Sequence, residues 1–130
     1  MTSLVVDSWA WVEYLDGSPI GKGVDEAFRH ATELWTSAVS VAEIVSKFRR
    51  KGRDESLALT ALTTLSKVGE PTFEDAQAAG EIHSEVKPKA PGFSLADSFV
   101  LQLARRTGSK VLTGDPDFAG LKDAIVLKSR

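Results

Sequence analysis

Short apolar runs alternate with longer stretches whose apolar side chains recur at helical spacing, and this alternation leaves few architectures open to the chain. Residues 3–7 predict a buried strand, and Ser8 is placed to cap a helix on which Trp11, Tyr14 and Leu15 share a face. Asp16-Gly17-Ser18-Pro19 breaks that helix. A second helix over residues 19–30 carries Ile20, Val24, Ala27 and Phe28 inward, and Leu34-Trp35-Thr36 follows as a strand. Residues 41–50 predict a helix with Val41, Ile44, Val45 and Phe48 as its stripe, closed by Lys51-Gly52, where a basic residue meets the negative helix end. Helices over 54–66 and 73–86 flank a short strand near 69–72. Pro88, Pro91 and Gly92 force a loop, after which a helix over 95–106 and strands over 110–113 and 124–127 complete the pattern. Parallel neighbours need helical crossovers. The expected class is therefore α/β, a three-layer α/β/α sandwich with a short, mainly parallel sheet of about five strands.

The 130 residues and 42% hydrophobic content fit one domain over 1–130 with a substantial core. No apolar run approaches the ~20 residues of a membrane span, and no secretory signal opens the chain, so a cytoplasmic location is expected. With no cysteine and two separated histidines, thiolate and histidine-rich metal sites are excluded. Any metal would be held by oxygen. The net charge of −2 gives no general attraction for nucleic acid, which leaves local basic patches. Arg49, Arg50, Lys51 and Arg53 form the densest and are the candidate RNA-binding residues. Such a run equally suits a solvated helix end. Trp9, Trp11 and Trp35 suit packing better than base stacking.

Four acidic residues fall where strands end or helices begin: Asp7 after Leu4-Val5-Val6, Glu43 in Ser40-Val41-Ala42-Glu43, Asp97 in Ser94-Leu95-Ala96-Asp97, and Asp115 after Val111-Leu112-Thr113-Gly114. In an open α/β sheet the carboxyl ends of the strands line one edge, so these positions can converge. Each also has a purely local explanation. Asp7 can be a helix cap, Ser40-x-x-Glu43 and Ser94-x-x-Asp97 resemble capping boxes, and Asp115 stands in a Gly-Pro turn. The two kinds of role are compatible, since a first-turn carboxylate faces the positive helix end and stays ionised. Asp117 is expected to cap the short helix after Pro116, with metal ligation secondary. Ser8 and Thr113 are candidate hydroxyl donors to the acidic set. Gathered carboxylates repel, and a hard divalent cation relieves them.

Taken in order, Leu4-Val5-Val6-Asp7-Ser8, Ser40-Val41-Ala42-Glu43-Ile44, Ser94-Leu95-Ala96-Asp97-Ser98 and Val111-Leu112-Thr113-Gly114-Asp115-Pro116-Asp117-Phe118 make the chain resemble a PIN domain over essentially its full length. In size it is most similar to the VapC toxins of prokaryotic toxin–antitoxin pairs. The resemblance implies that Asp7, Glu43, Asp97 and Asp115 form the catalytic, metal-holding set. It implies Mg²⁺- or Mn²⁺-dependent cleavage of RNA, a homodimer, and a small antitoxin whose tail covers the groove and often places a basic side chain in the acidic site. Asp117 transfers less securely. Two other classes compete: a catalytically silent PIN-like module that binds RNA or protein, and a small-nucleotide phosphohydrolase. The latter lacks its second carboxylate, because Trp9 stands where Asp-x-Asp would need an acid.

Overall fold

The computed structural model describes residues 2–128; Met1 and residues 129–130, the ends of the expected 1–130 domain, lie outside the described residues. Five strands, β1 Thr2–Val6, β2 Ala31–Ser37, β3 Lys67–Gly69, β4 Lys110–Thr113 and β5 Ala124–Val126, form a sheet in the order β3-β2-β1-β4-β5 with every pairing parallel. Six helices serve as crossovers: α1 Ser8–Asp16, α2 Pro19–His30, α3 Ala38–Arg50, α4 Ser56–Leu65, α5 Phe73–Val86 and α6 Leu95–Thr107. A 3-10 turn, Pro116–Phe118, precedes β5. Among the described residues no helix is long and apolar enough to cross a membrane.

The layering follows from the two-residue period of the strands. Leu4 and Val6 of β1 point to one face, where they pack with Trp11, Val24, Ile44, Phe48 and Leu62 of α1–α4. Val5 points to the other, where Ile82 of α5 and Val100, Leu101 and Ala104 of α6 cover it. Burial of both faces is what an all-parallel sheet requires. Trp11 is fully buried, and its indole N–H donates to Thr36 Oγ1 at 3.0 Å, so the ring enters the core without an unpaired donor.

Three boundaries depart from expectation by three residues, and the others that shift do so by one or two. The third strand lies at Lys67–Gly69 instead of 69–72, because Thr72 is taken as the N-cap of α5. The second strand extends back to Ala31, since pairing with β1, where Thr2 stands opposite Ala31, offsets its polar Thr32 and Glu33. Helix α3 starts at Ala38, capped by the Ser37 hydroxyl accepting from Val39 N at 3.2 Å. Ser40 is therefore inside the helix; it is fully buried, and among the described residues its hydroxyl has no hydrogen-bond partner. Ser40 and Glu43 do not form a capping box.

The strand order reverses at β1. From there the chain moves outward through β2 to β3, then returns to the opposite side as β4 and β5. A crevice opens at such a reversal, beyond the carboxyl ends of the two diverging strands, here β1 and β4.

Candidate metal centre

Asp7 is the first residue past β1, and its N–H still donates to Leu112 O at 3.0 Å, which extends the β1–β4 pairing to the crevice. Its carboxylate caps α1, accepting from Ser8 N at 2.9 Å through Oδ1 and from Thr113 Oγ1 at 2.8 Å through Oδ2. Thr113 ends β4, and its hydroxyl also accepts from Asp115 N at 3.0 Å. One buried hydroxyl thus links the Asp7 carboxylate to the backbone of Asp115. Ser8 Oγ donates to Glu43 Oε1 at 3.3 Å, fixing the third.

Helix α6 leads into β4, so its first turn stands at the same edge. Asp97 forms a complete capping box there: Asp97 N donates to Ser94 Oγ at 3.1 Å, and Ser94 N donates to Asp97 Oδ2 at 2.8 Å. The loop before it is tied down by Phe93, buried edge-on against Phe118 with ring centres 5.3 Å apart. That contact joins the segment carrying Asp97 to the segment carrying Asp115.

Asp7, Glu43, Asp97 and Asp115 all line one cleft of about 450 Å³, together with Ser94, Trp9 and Gly114. Trp9 lies directly on Gly114, where a Cβ would stand 2.2 Å from the indole. Only glycine permits that approach. Asp115 caps the 3-10 turn, with Oδ1 accepting from Asp117 N at 2.9 Å. The cap expected of Asp117 thus falls to Asp115, the better ligand candidate of the two: Asp117 lies inside the turn, and its carboxylate is packed against Gly92. It is not among the residues lining the cleft.

Electrostatics register the crowding. Burial pushes the Asp7 carboxyl up to about 7; the Thr113 hydrogen bond opposes this, and the charges of Asp97 and Glu43 add to it. Glu43 is raised by burial and by Asp97, against its bond from Ser8. Asp97 is raised by burial, opposed by its two bonds with Ser94 and reinforced by Asp115 and Asp117. Oxygen donors that are buried, as in Asp7 and Asp97, or half-buried, as in Glu43 and Asp115, and that repel one another suit a hard divalent cation. Among the described residues, no three acidic or histidine side chains are gathered tightly enough to enclose one ion as they stand. Each is held by its own hydrogen bond, so they line the cleft and do not converge on a point.

The basic run at the end of α3 is divided by the fold. Arg49 pairs with Glu55 at 2.7 Å, while Arg53 pairs with Asp16 at 2.9 Å and lies 4.3 Å over the Phe48 ring. Lys51 is exposed beyond the helix. Only Arg50 of the four lines a groove next to the acidic cleft, where it is joined by Lys47. Lys47 is inconspicuous in the sequence, yet its position four residues after Glu43 already assigns it to the same helix face.

Residues 4–124 match the sequence profile of the PIN domain. A comparison with curated proteins gave no match. Among solved structures, the chain is similar to a toxin–antitoxin complex from Klebsiella pneumoniae, with 18% identity, TM-score 0.80, and coverage of 98% of this chain and 99% of that one. It is also similar to the sarcin-ricin loop cleaving toxin VapC20 of Mycobacterium tuberculosis, with 16% identity, TM-score 0.76, and coverage of 96% and 99%. FitAcB from Neisseria gonorrhoeae shows 18% identity and TM-score 0.68, with 96% of each chain covered. At these identities the structural likeness speaks for the fold, while the profile match spans nearly the whole chain: this protein belongs to the PIN domain family.

Proposed function

We propose that this chain is a divalent-metal-dependent endoribonuclease acting as the toxin of a toxin–antitoxin pair. The single observation that carries the proposal is the assembly of Asp7, Glu43, Asp97 and Asp115 around one cleft at the β1–β4 reversal. Asp7 and Asp97 are the central candidates for holding Mg²⁺ or Mn²⁺, with Glu43 and Asp115 completing the set. A bound divalent ion supplies a hydroxide-like water at neutral pH and neutralises charge growing on the scissile phosphate.

The remaining work falls to side chains of the protein. Thr113 orients Asp7 and restrains the backbone at Asp115, and Ser8 holds Glu43 in the cleft. The positive end of α6 favours the ionised form of Asp97. A silent binding module would be favoured by an acid turned out of the cleft, and none of the four is. Neither histidine lines the cleft, so a histidine base has no place in this scheme.

A small antitoxin belongs to the same proposal, supported by the toxin–antitoxin complexes among the structural neighbours, and a homodimer enters it on the family resemblance alone. The test is cleavage of a mixed RNA pool by the purified protein in Mg²⁺ or Mn²⁺, against EDTA and against Asp97→Asn. Asparagine retains an oxygen for Ser94 N, so this variant removes charge while keeping the cap. Equal product in all arms would sink the proposal.

A further inference from the structure

The acidic cleft is continuous with a basic groove. Ser8, Trp9 and Glu43 border both, and beyond them the groove, about 220 Å³, is lined by Lys47 and Arg50 of α3. At a rise of 1.5 Å per residue, these side chains follow Glu43 at about 6 and 10 Å along the helix axis. They occupy positions i+4 and i+7 of one face.

Their pairing differs from that of their neighbours. Arg49 and Arg53 are each engaged by a carboxylate, Glu55 and Asp16. Among the described residues neither Lys47 nor Arg50 has a carboxylate within ion-pair distance, and Arg50 Nε donates only to Ser46 Oγ at 3.3 Å. Glu43 is one turn from Lys47, yet its Oε1 is taken by Ser8. Two cations with no acidic partner in a groove that opens into an acidic centre are arranged for a polyanion whose strand passes from one to the other.

We infer that Lys47 and Arg50 form a phosphate track that leads single-stranded RNA into the acidic cleft, and that Arg49 and Arg53 take no part in binding it. This assignment rests on the nuclease reading. Trp9 stands at the junction, where it separates the cationic stretch from the carboxylates and offers an aromatic surface to a base.

The experiment measures anisotropy of a short, fluorescein-labelled single-stranded RNA of mixed sequence, in Mg²⁺ and over a range of salt. The full chain carrying Asp97→Asn serves as the non-cleaving parent. Adding Lys47→Ala and Arg50→Ala is expected to raise Kd about tenfold and to flatten the log–log salt slope by about 1.4, at ~0.7 for each phosphate that is no longer neutralised. Alanine suits both helix positions, so folding is retained. Adding Arg49→Ala and Arg53→Ala instead is expected to change Kd by less than about twofold and to leave the slope unchanged. An unchanged Kd and slope in the Lys47/Arg50 variant would overturn the inference, as would an equal loss in the Arg49/Arg53 variant or a parent that binds no RNA. Cleavage by the wild-type protein in Mg²⁺ but not EDTA decides the nuclease reading separately, so failure of that reading and failure of the phosphate track give different results.

Discussion

Thr113, the last residue of β4, donates a 2.8 Å hydrogen bond to Oδ2 of Asp7, the first residue beyond β1. The bond crosses the point where the sheet reverses, and it couples the stability of the β1–β4 junction to the ionisation of the deepest acid. Thr113→Val keeps the shape but removes the donor to Asp7 and the acceptor for Asp115 N. Urea unfolding should show a loss of about 1–3 kcal/mol, as for buried groups left unpaired. The Thr113 bond holds the Asp7 carboxyl down, so its removal should move the acid limb of the pH–activity profile to higher pH.

The raised Asp7 carboxyl predicts an unusual stability profile in EDTA. The folded state binds this proton more tightly than the unfolded chain, so the contribution is fully present below pH ~4 and is lost as pH rises through about 7. Asp7→Asn should match wild type near pH 4 and exceed it at pH 8 by up to an order of 4 kcal/mol. Mg²⁺ should raise the Tm of wild type at pH 8 and leave the variant unmoved. Thermal melts across pH with and without Mg²⁺ check both statements; a variant less stable than wild type at pH 8 in EDTA would contradict the first.

Gly114 is where Trp9 seats on the backbone, with the prospective Cβ 2.2 Å from the ring. Gly114→Ala should lower stability by about 1–3 kcal/mol through overpacking. In a Trp9→Ala background the same change should be close to neutral. A double-mutant cycle by urea unfolding reads this coupling, and additive losses would show that the close approach of the indole is not the reason for glycine.

Asp75 and Asp97 occupy the same place in the same local motif, each the N3 residue of a complete capping box. Asp97→Asn should reduce RNA cleavage at least about a hundredfold, in line with loss of charge stabilisation at the reacting centre. Asp75→Asn should leave cleavage within about twofold and cost about 1 kcal/mol from its pairing with Arg106, 3.3 Å away. Initial rates on one RNA, combined with unfolding curves, separate the two effects.

The same motif marks the boundary between what is legible in the chain and what is not. Strand and helix periodicity, turn residues and the order of elements are local properties, and they predicted the parallel α/β sandwich with the bounds of α2 and α5 matching the structure. Misplacements arose where a local signal had two outlets. Ser40 is as good a cap by type as Ser37, but Ser37 is the residue at the end of β2, so α3 begins one turn earlier.

Three segments read alike as a hydroxyl residue followed three positions later by an acid: Ser40 to Glu43, Thr72 to Asp75 and Ser94 to Asp97. Thr72 and Asp75 form a cap that packs Asp75 against Gln102 and Arg106 of α6. Ser94 and Asp97 form a cap whose acid also faces the cleft. Ser40 and Glu43 form no cap, and Glu43 is held by Ser8 from another helix. By itself, the sequence determined the elements, their order and the set of acids available, because those depend on neighbours along the chain. Which acids meet, which arginines are neutralised and which cations border the cleft were decided only when the sheet reversed at β1, since burial and Coulomb interaction depend on separation in space.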